Sequence, residues 1–387
     1  MNKKYFYFQP QYVSKFKCDG SKCGGKCCKH GWNIFVDVKT FEQYSRLEEV
    51  APHVKFDSEK NNYVIVLDEK KSCPFVTEDN LCGLQLKYGE KFLSSTCATY
   101  PRITNDFGYF LERTLTLSCP VAAELILFER EPMKFEFVEV PEEIHSPAGK
   151  IFVQRIEAAD KLKRILIDLQ VAMISILQER TISIDQRLIV LGFFLDRFDE
   201  IFSAEIFDEA ALRKLIAAYE SKKFLAEQVP LMLRSVTFDD EKFQRLILDL
   251  LEKVFDEEDN PLDKGILNVA ENVIKRISEK KIFLAEYSPF LENFLVNKLF
   301  MNIFPWKIEG NIAQNFAAFV IEYKIFELII FSEDIKGSVS RKRLIDLADK
   351  FTTKFDHTQE YSTKIFDYFK GADDIWDSMN GLLEGRD

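Results

Sequence analysis

Eight cysteines, Cys18, Cys23, Cys27, Cys28, Cys73, Cys82, Cys97 and Cys119, stand within the first 119 residues, and the 268 residues after them contain none. Core-filling cysteines would be scattered along the chain. Thiolates gathered in this way are ligands for a soft or borderline metal. The first group, Cys18-x4-Cys23-x3-Cys27-Cys28, lies in KCDGSKCGGKCCKHGW, where one loop can wrap several sulfurs round a metal. Gly20, Gly24, Gly25 and Gly31 supply the backbone angles that such a loop needs. Lys17, Lys22, Lys26 and Lys29 offset thiolate charge. Cys27 and Cys28 are adjacent and point apart in most backbones, so one faces a first centre and the other a second centre or the core. Cys73, Cys82, Cys97 and Cys119 are spread over 47 positions and read as anchors brought together by folding. Two of them precede proline, which stiffens the turn. Zinc favours CxxC pairs, and the chain has none. Cysteine-only ligation at irregular spacing suits an iron–sulfur cluster better, with zinc as the alternative metal. Reduced structural cysteines without metal are the bland reading.

The elements that must position these residues divide the chain. Residues 1–131 read as a small α+β cysteine-rich domain. Strands are expected over residues 32–37 and 63–67, which are rich in β-branched and aromatic residues. Helices are expected over residues 40–50, capped by Thr40, over 84–93, and from Pro120 to about Glu129. A strand or hairpin is expected over 107–118. Residues 132–150, with three prolines, read as a linker. Residues 151–387 read as an all-α domain of nine or ten helices. Apolar residues recur there at helical spacing, as in Leu162, Ile165, Leu166, Leu169 and Met173, and again in Phe243, Leu246, Leu250 and Val254. The fold class is therefore mainly α.

Charge and composition exclude several functions. A net charge of −11 argues against nucleic acid as the main partner, although residues 1–30 carry seven lysines and one aspartate. The longest apolar run, Leu188 to Leu195, is too short to span a membrane. The N-terminal residues lack the apolar core of a signal peptide, so a cytoplasmic protein is expected. Thiols there are kept reduced, which favours metal or redox chemistry over disulfides. No P-loop and no GxGxxG turn occurs.

Three blocks, CDGSKCGGKCCKHGWNIFVD, CPFVTEDNLCGLQLKYGEKFLSSTCATYPR and LERTLTLSCPVAAELIL, resemble the flagellin lysine N-methylases of the FliB type. The first is also similar to zinc- or iron-chelating cysteine-cluster domains. A further echo lies at PFLENFLVNKLFMNIFPW, residues 289–306. The resemblance implies methyl transfer from S-adenosylmethionine to lysine amines of flagellin, with a [4Fe–4S] cluster as cofactor. The cysteine gaps are one residue longer than the CxxxCxxC of radical enzymes that use S-adenosylmethionine. A lysine amine is mostly protonated at neutral pH and must be deprotonated before it attacks a sulfonium methyl. Asp37, Tyr88, Tyr100 and Glu112 are the candidates for that work, and Arg102 and Arg113 for holding the cofactor carboxylate. A metal-binding interaction module without catalysis is the alternative.

Overall fold

A computed structural model describes residues 4–29, 31–107, 110–141, 162, 165–204, 208–219, 277–306, 310–334, 339–356, 360–370 and 375–384. The chain forms two compact units. One comprises Met1–Leu125 with Lys134–Ile151, and the other Ile126–Met133 with Phe152–Asp387. The first is α+β and the second helical, so the protein is mainly α.

The first unit is built on two small sheets. Strand β1 (Lys4–Pro10) lies at the centre of a four-stranded sheet in the order β5-β6-β1-β7. It runs parallel to β6 (Leu111–Leu115), with Tyr7 opposite Leu111. It runs antiparallel to β7 (Phe135–Pro141) along its whole length. Strand β5 (Arg102–Asp106) forms a hairpin with β6. A second sheet has the order β2-β4-β3, from Phe35–Val36, Asn62–Ile65 and Val54–Asp57. Short helices fill the gaps: α1 (Tyr12–Lys15), α2 (Gly20–Cys23), α3 (Val38–Tyr44), α4 (Gly83–Tyr88), α5 (Ser95–Thr99) and α6 (Pro120–Leu127). Residues 135–141, expected to be linker, are β7. Their alternation FEFVEV is a strand pattern, and the prolines bound it without interrupting it. The remainder of that expected linker lies outside the described residues. Helix α3 begins earlier than expected: Asp37, not Thr40, is its cap, and accepts from Thr40 N at 3.0 Å.

The second unit packs α7 (Leu166–Leu177), α8 (Ile184–Ser203), α9 (Glu209–Tyr219), α10 (Ile277–Met301), α11 (Ile312–Asp334), α12 (Arg341–Asp356), α13 (Glu360–Tyr368) and α14 (Ile375–Glu384). The periodic segment at residues 243–254 lies outside the described residues. Helix α11 is the centre, in contact with α8, α10, α12, α13 and α14. It is buried on every side, as an apolar helix without a polar stripe must be. Phenylalanines from three helices interlock there, with the rings of Phe294 and Phe326 at 4.1 Å and of Phe326 and Phe351 at 5.0 Å. Charges carried into this core are paired. Lys324 reaches Asp185 at 2.6 Å and Glu327 at 3.2 Å, and Lys298 reaches Asp356 at 2.8 Å and also Glu322. Burial pulls the Lys298 ammonium toward neutrality, but Asp356 and Glu322 outweigh it and keep the group charged. Glu292 takes bonds from both Arg180 and Arg187. No helix among the described residues is long and apolar enough to cross a membrane.

Candidate metal centre

All eight cysteines line one cavity of about 490 Å³ in the first unit. Several short local devices bring them there. Asp19 caps α2, which carries Cys23. Gly24 and Gly25 then turn the chain through left-handed angles, φ +65° and +66°. At Gly25 a Cβ atom would stand 2.6 Å from the Asn80 carbonyl oxygen, so only glycine lets the loop approach the segment bearing Cys73 and Cys82. Lys29 bonds the Asn80 side chain across the same contact. Cys27 and Cys28 follow in a single 3-10 turn, Lys26–Cys28. The Trp32 indole N–H donates to the Cys27 carbonyl at 2.6 Å, and the Cys73 amide to the Cys28 carbonyl at 2.7 Å. Cys73 and Cys82 flank a tight turn closed by Thr77 N to Leu81 O at 2.9 Å and by a bridge between Val76 and Cys82. Cys97 rides on α5, whose cap Ser94 accepts from its amide. Cys119 directly precedes α6, and Ala123 N bonds its carbonyl at 2.8 Å.

No cysteine is disulfide-bonded. The Sγ atoms of Cys27 and Cys28 stand 3.9 Å apart. That contact, together with burial, pushes the Cys27 thiol far above its ordinary range. The bond with Cys27 works in the opposite sense on Cys28, where proximity to Cys73 and burial prevail and raise it. Burial raises Cys97 to about 11. Burial also raises Cys119 to about 12, against the pull of the Ala122 and Val121 amides. The cavity therefore favours neutral thiols unless a cation replaces the protons. Among the described residues, no group of three or more histidine, cysteine, aspartate or glutamate side chains is drawn together tightly enough to hold a metal ion as it stands.

The other sequence-derived candidates divide. Tyr100 lines the cavity, edge-on to Trp32 at 4.7 Å between ring centres, with its hydroxyl 3.2 Å from Ser118 Oγ. Ser118 in turn meets Thr116 Oγ1 at 3.0 Å. Arg102 stands over the ring of Phe16, itself a wall residue, at 5.2 Å, and lowers the Cys18 thiol that burial and Cys27 raise. The remaining candidates are not wall residues. Asp37 is held below the usual carboxylate range: burial opposes this, but bonds from Ser95 and Thr40 prevail, tying α5 to α3. Tyr88 donates to Glu49 at the surface. Glu112 is fully buried on β6. Arg113 lies 3.8 Å over the Tyr7 ring and bonds Thr104. His30, which borders the first cysteine group in the sequence, lies outside the described residues. Sequence reasoning took Trp32 for a strand residue and overlooked its work behind Cys27. Its position five residues after that cysteine was the available signal.

Residues 170–384, more than half of the chain, match the family model of the FliB lysine N-methylase C-terminal domain. This chain belongs to the FliB lysine N-methylase family. It is 31% identical over 134 residues to a lysine-N-methylase of Salmonella choleraesuis strain SC-B67, covering 32% of this chain and 33% of that protein. It is 30% identical over the same length to the lysine-N-methylase of Salmonella typhimurium strain LT2. It is 31% identical over 134 residues to the flagellar biosynthetic protein FliU of Salmonella muenchen, covering 79% of it. The chain thus spans about a third of the length of the two lysine-N-methylases that it matches. No solved structure matches it. The FliB model covers the helical unit and leaves the cysteine cavity, residues 16–121, outside the match.

Proposed function

We propose that this protein is an S-adenosylmethionine-dependent lysine N-methyltransferase that acts on flagellin in the cytoplasm, with a [4Fe–4S] cluster held by its cysteines. The observation that carries the reading is the convergence of every cysteine on one cavity in a FliB-family chain. The donor set fits such a group. It offers eight sulfur ligands, with Asp19 the carboxylate on the wall, in a partly apolar cavity, from thiols whose burial makes a compensating cation worthwhile. A cluster carries its thiolates on separate corners, so it does not require the tight packing of a single-ion site. Bound iron would supply Lewis acidity toward a ligand's amino and carboxylate groups.

In the transfer, the lysine nitrogen forms a bond to the methyl carbon as the carbon–sulfur bond breaks. The electron pair goes to sulfur and the nitrogen sheds one proton. The chain must position the neutral amine, which gives up its ammonium proton to solvent on entering, and must keep water away. Tyr100 is the side chain suited to the first task, because its hydroxyl, which meets Ser118 Oγ at 3.2 Å, accepts a hydrogen bond from the amine N–H and aims its lone pair. The aromatic pair Trp32 and Tyr100, packed edge to face in the cavity wall, serves the second. Arg102, one ring behind the wall, is the candidate for the donor's carboxylate. Incubation of cluster-loaded protein with S-adenosylmethionine and flagellin should add about 14 Da per methyl to lysines, read by mass spectrometry. A flagellin from the same cell that gains no mass from intact, loaded protein would leave the second reading, a metal-binding interaction module. Three of the four catalytic candidates stand away from the cavity wall, which is what that second reading expects.

A further inference from the structure

The eight cysteines are not one equivalent set. Cys73 belongs to a buried core cluster with Ile34, Val36, Tyr44 and Leu84, and the cysteines packed against that cluster are Cys28, Cys82 and Cys97. The other four are absent from it. All eight line the one cavity, and the Cys27–Cys28 contact, 3.9 Å between Sγ atoms, joins the two sets.

The hinge between the sets has a backbone cause. Cys27 and Cys28 sit in a 3-10 turn, in which successive side chains diverge by about 120° because there are about three residues per turn. The two successive carbonyls are pinned by separate donors, Trp32 Nε1 on Cys27 and the Cys73 amide on Cys28. The backbone of each cysteine is thus tied to a different segment, Trp32 for Cys27 and the Cys73 turn for Cys28, while their Sγ atoms remain 3.9 Å apart.

We propose that the cavity holds two four-sulfur metal centres side by side, one on Cys18, Cys23, Cys27 and Cys119, the other on Cys28, Cys73, Cys82 and Cys97. This builds on the iron–sulfur reading but is separable from it. Full-length protein purified without oxygen is analysed for iron, acid-labile sulfide and zinc. Wild-type protein is then compared with the double variants Cys18→Ser/Cys23→Ser and Cys73→Ser/Cys82→Ser. The expected result is about eight irons and eight sulfides per chain, with about half lost in each double variant. Where a variant fails to fold by circular dichroism, the reduced wild-type protein decides alone. Its electron paramagnetic resonance should integrate to about two spins and show the broadening of two centres close together, as two cubanes require. About four irons and one spin, with one pair of substitutions silent, overturns the two centres and leaves the cluster reading intact. About two zincs, one lost with each double variant, supports the two centres and overturns the cluster reading. Protein that binds neither metal overturns both.

Discussion

Glu292 makes the sharpest test of how the helical unit is held together. Its carboxylate is fully buried on α10 and accepts from Arg187 Nη1 at 2.8 Å and from Arg180 Nη2 at 2.8 Å and Nε at 3.0 Å. Arg187 is 2% exposed, and its remaining bonds go to the carbonyls of Leu177 and Ile182, both at 3.0 Å. In Glu292→Leu that guanidinium keeps two neutral acceptors and loses its bonded counter-charge, leaving only the more weakly acting Glu179. Removing one partner of a buried pair costs about 3–5 kcal/mol, because the other charge is left stranded. Arg180 is 34% exposed and rehydrates, so it adds only about 0–1 kcal/mol. In a unit of this size each kcal/mol moves the midpoint by about 2–4 °C, so the melting temperature should fall by about 6–24 °C. Thermal unfolding followed by far-ultraviolet circular dichroism reads it. The double variant Glu292→Leu/Arg187→Met should recover most of the loss, since a packed apolar replacement of a whole buried pair is often neutral or better. A single variant that loses less than about 1 kcal/mol would refute the claim that a stranded buried charge governs this core.

Gly25→Ala should destabilise the cysteine loop by about 1–2 kcal/mol from the left-handed backbone alone, and more from the encroachment on Asn80. Metal content should fall while the melting of the helical unit is unchanged. Tyr100→Phe should lower the methylation rate by about 100-fold, because its hydroxyl positions the attacking amine, with metal content preserved. Equal rates in the two proteins would remove Tyr100 from the mechanism. Metal-free protein should be steady below pH 9 and lose stability as pH rises toward 12, because the unfolded chain ionises its thiols near 9.0 while Cys97 and Cys119 in the folded state wait until about 11 and 12. Urea titrations across that range would show the slope. Loaded protein should show the opposite trend in its metal content, which falls with acid as protons compete for the sulfurs.

The sequence disclosed the site's composition better than its geometry. Clustering of Cys18 to Cys119 pointed to a single region, and all eight cysteines do line one cavity. Helical periodicity in Leu162 to Met173 likewise foretold α7. The parallel pairing of β1 with β6 was invisible, because nothing local records a partner about 100 residues away. Residues 135–141 were misread because three nearby prolines outweighed a six-residue alternation. Asp37 was taken for an acid–base candidate. Its position three residues before Thr40 marks a helix cap equally well, and only the fold separates the two roles. Glu112 and Arg113 sit on β6, where every residue is buried, so their charge suggested a surface or site role that the strand does not allow.

The two groups of cysteines are nested along the chain. Cys28 to Cys97 falls wholly inside Cys18 to Cys119, and Cys119 follows Cys27 by 92 residues. During synthesis, the inner group is complete once residue 97 has emerged, while the outer group waits for Cys119 and for the helix that follows it. Closing the inner loops first shortens the effective loop left for the outer group, so its entropic cost is lower than the sequence separation alone suggests. Strand β7, which pairs with β1 along its full length, is made last and seals the sheet afterwards. A ribosome that pauses between residues 97 and 119 would therefore hold a chain with one set of sulfurs gathered and the other still open to whatever delivers metal.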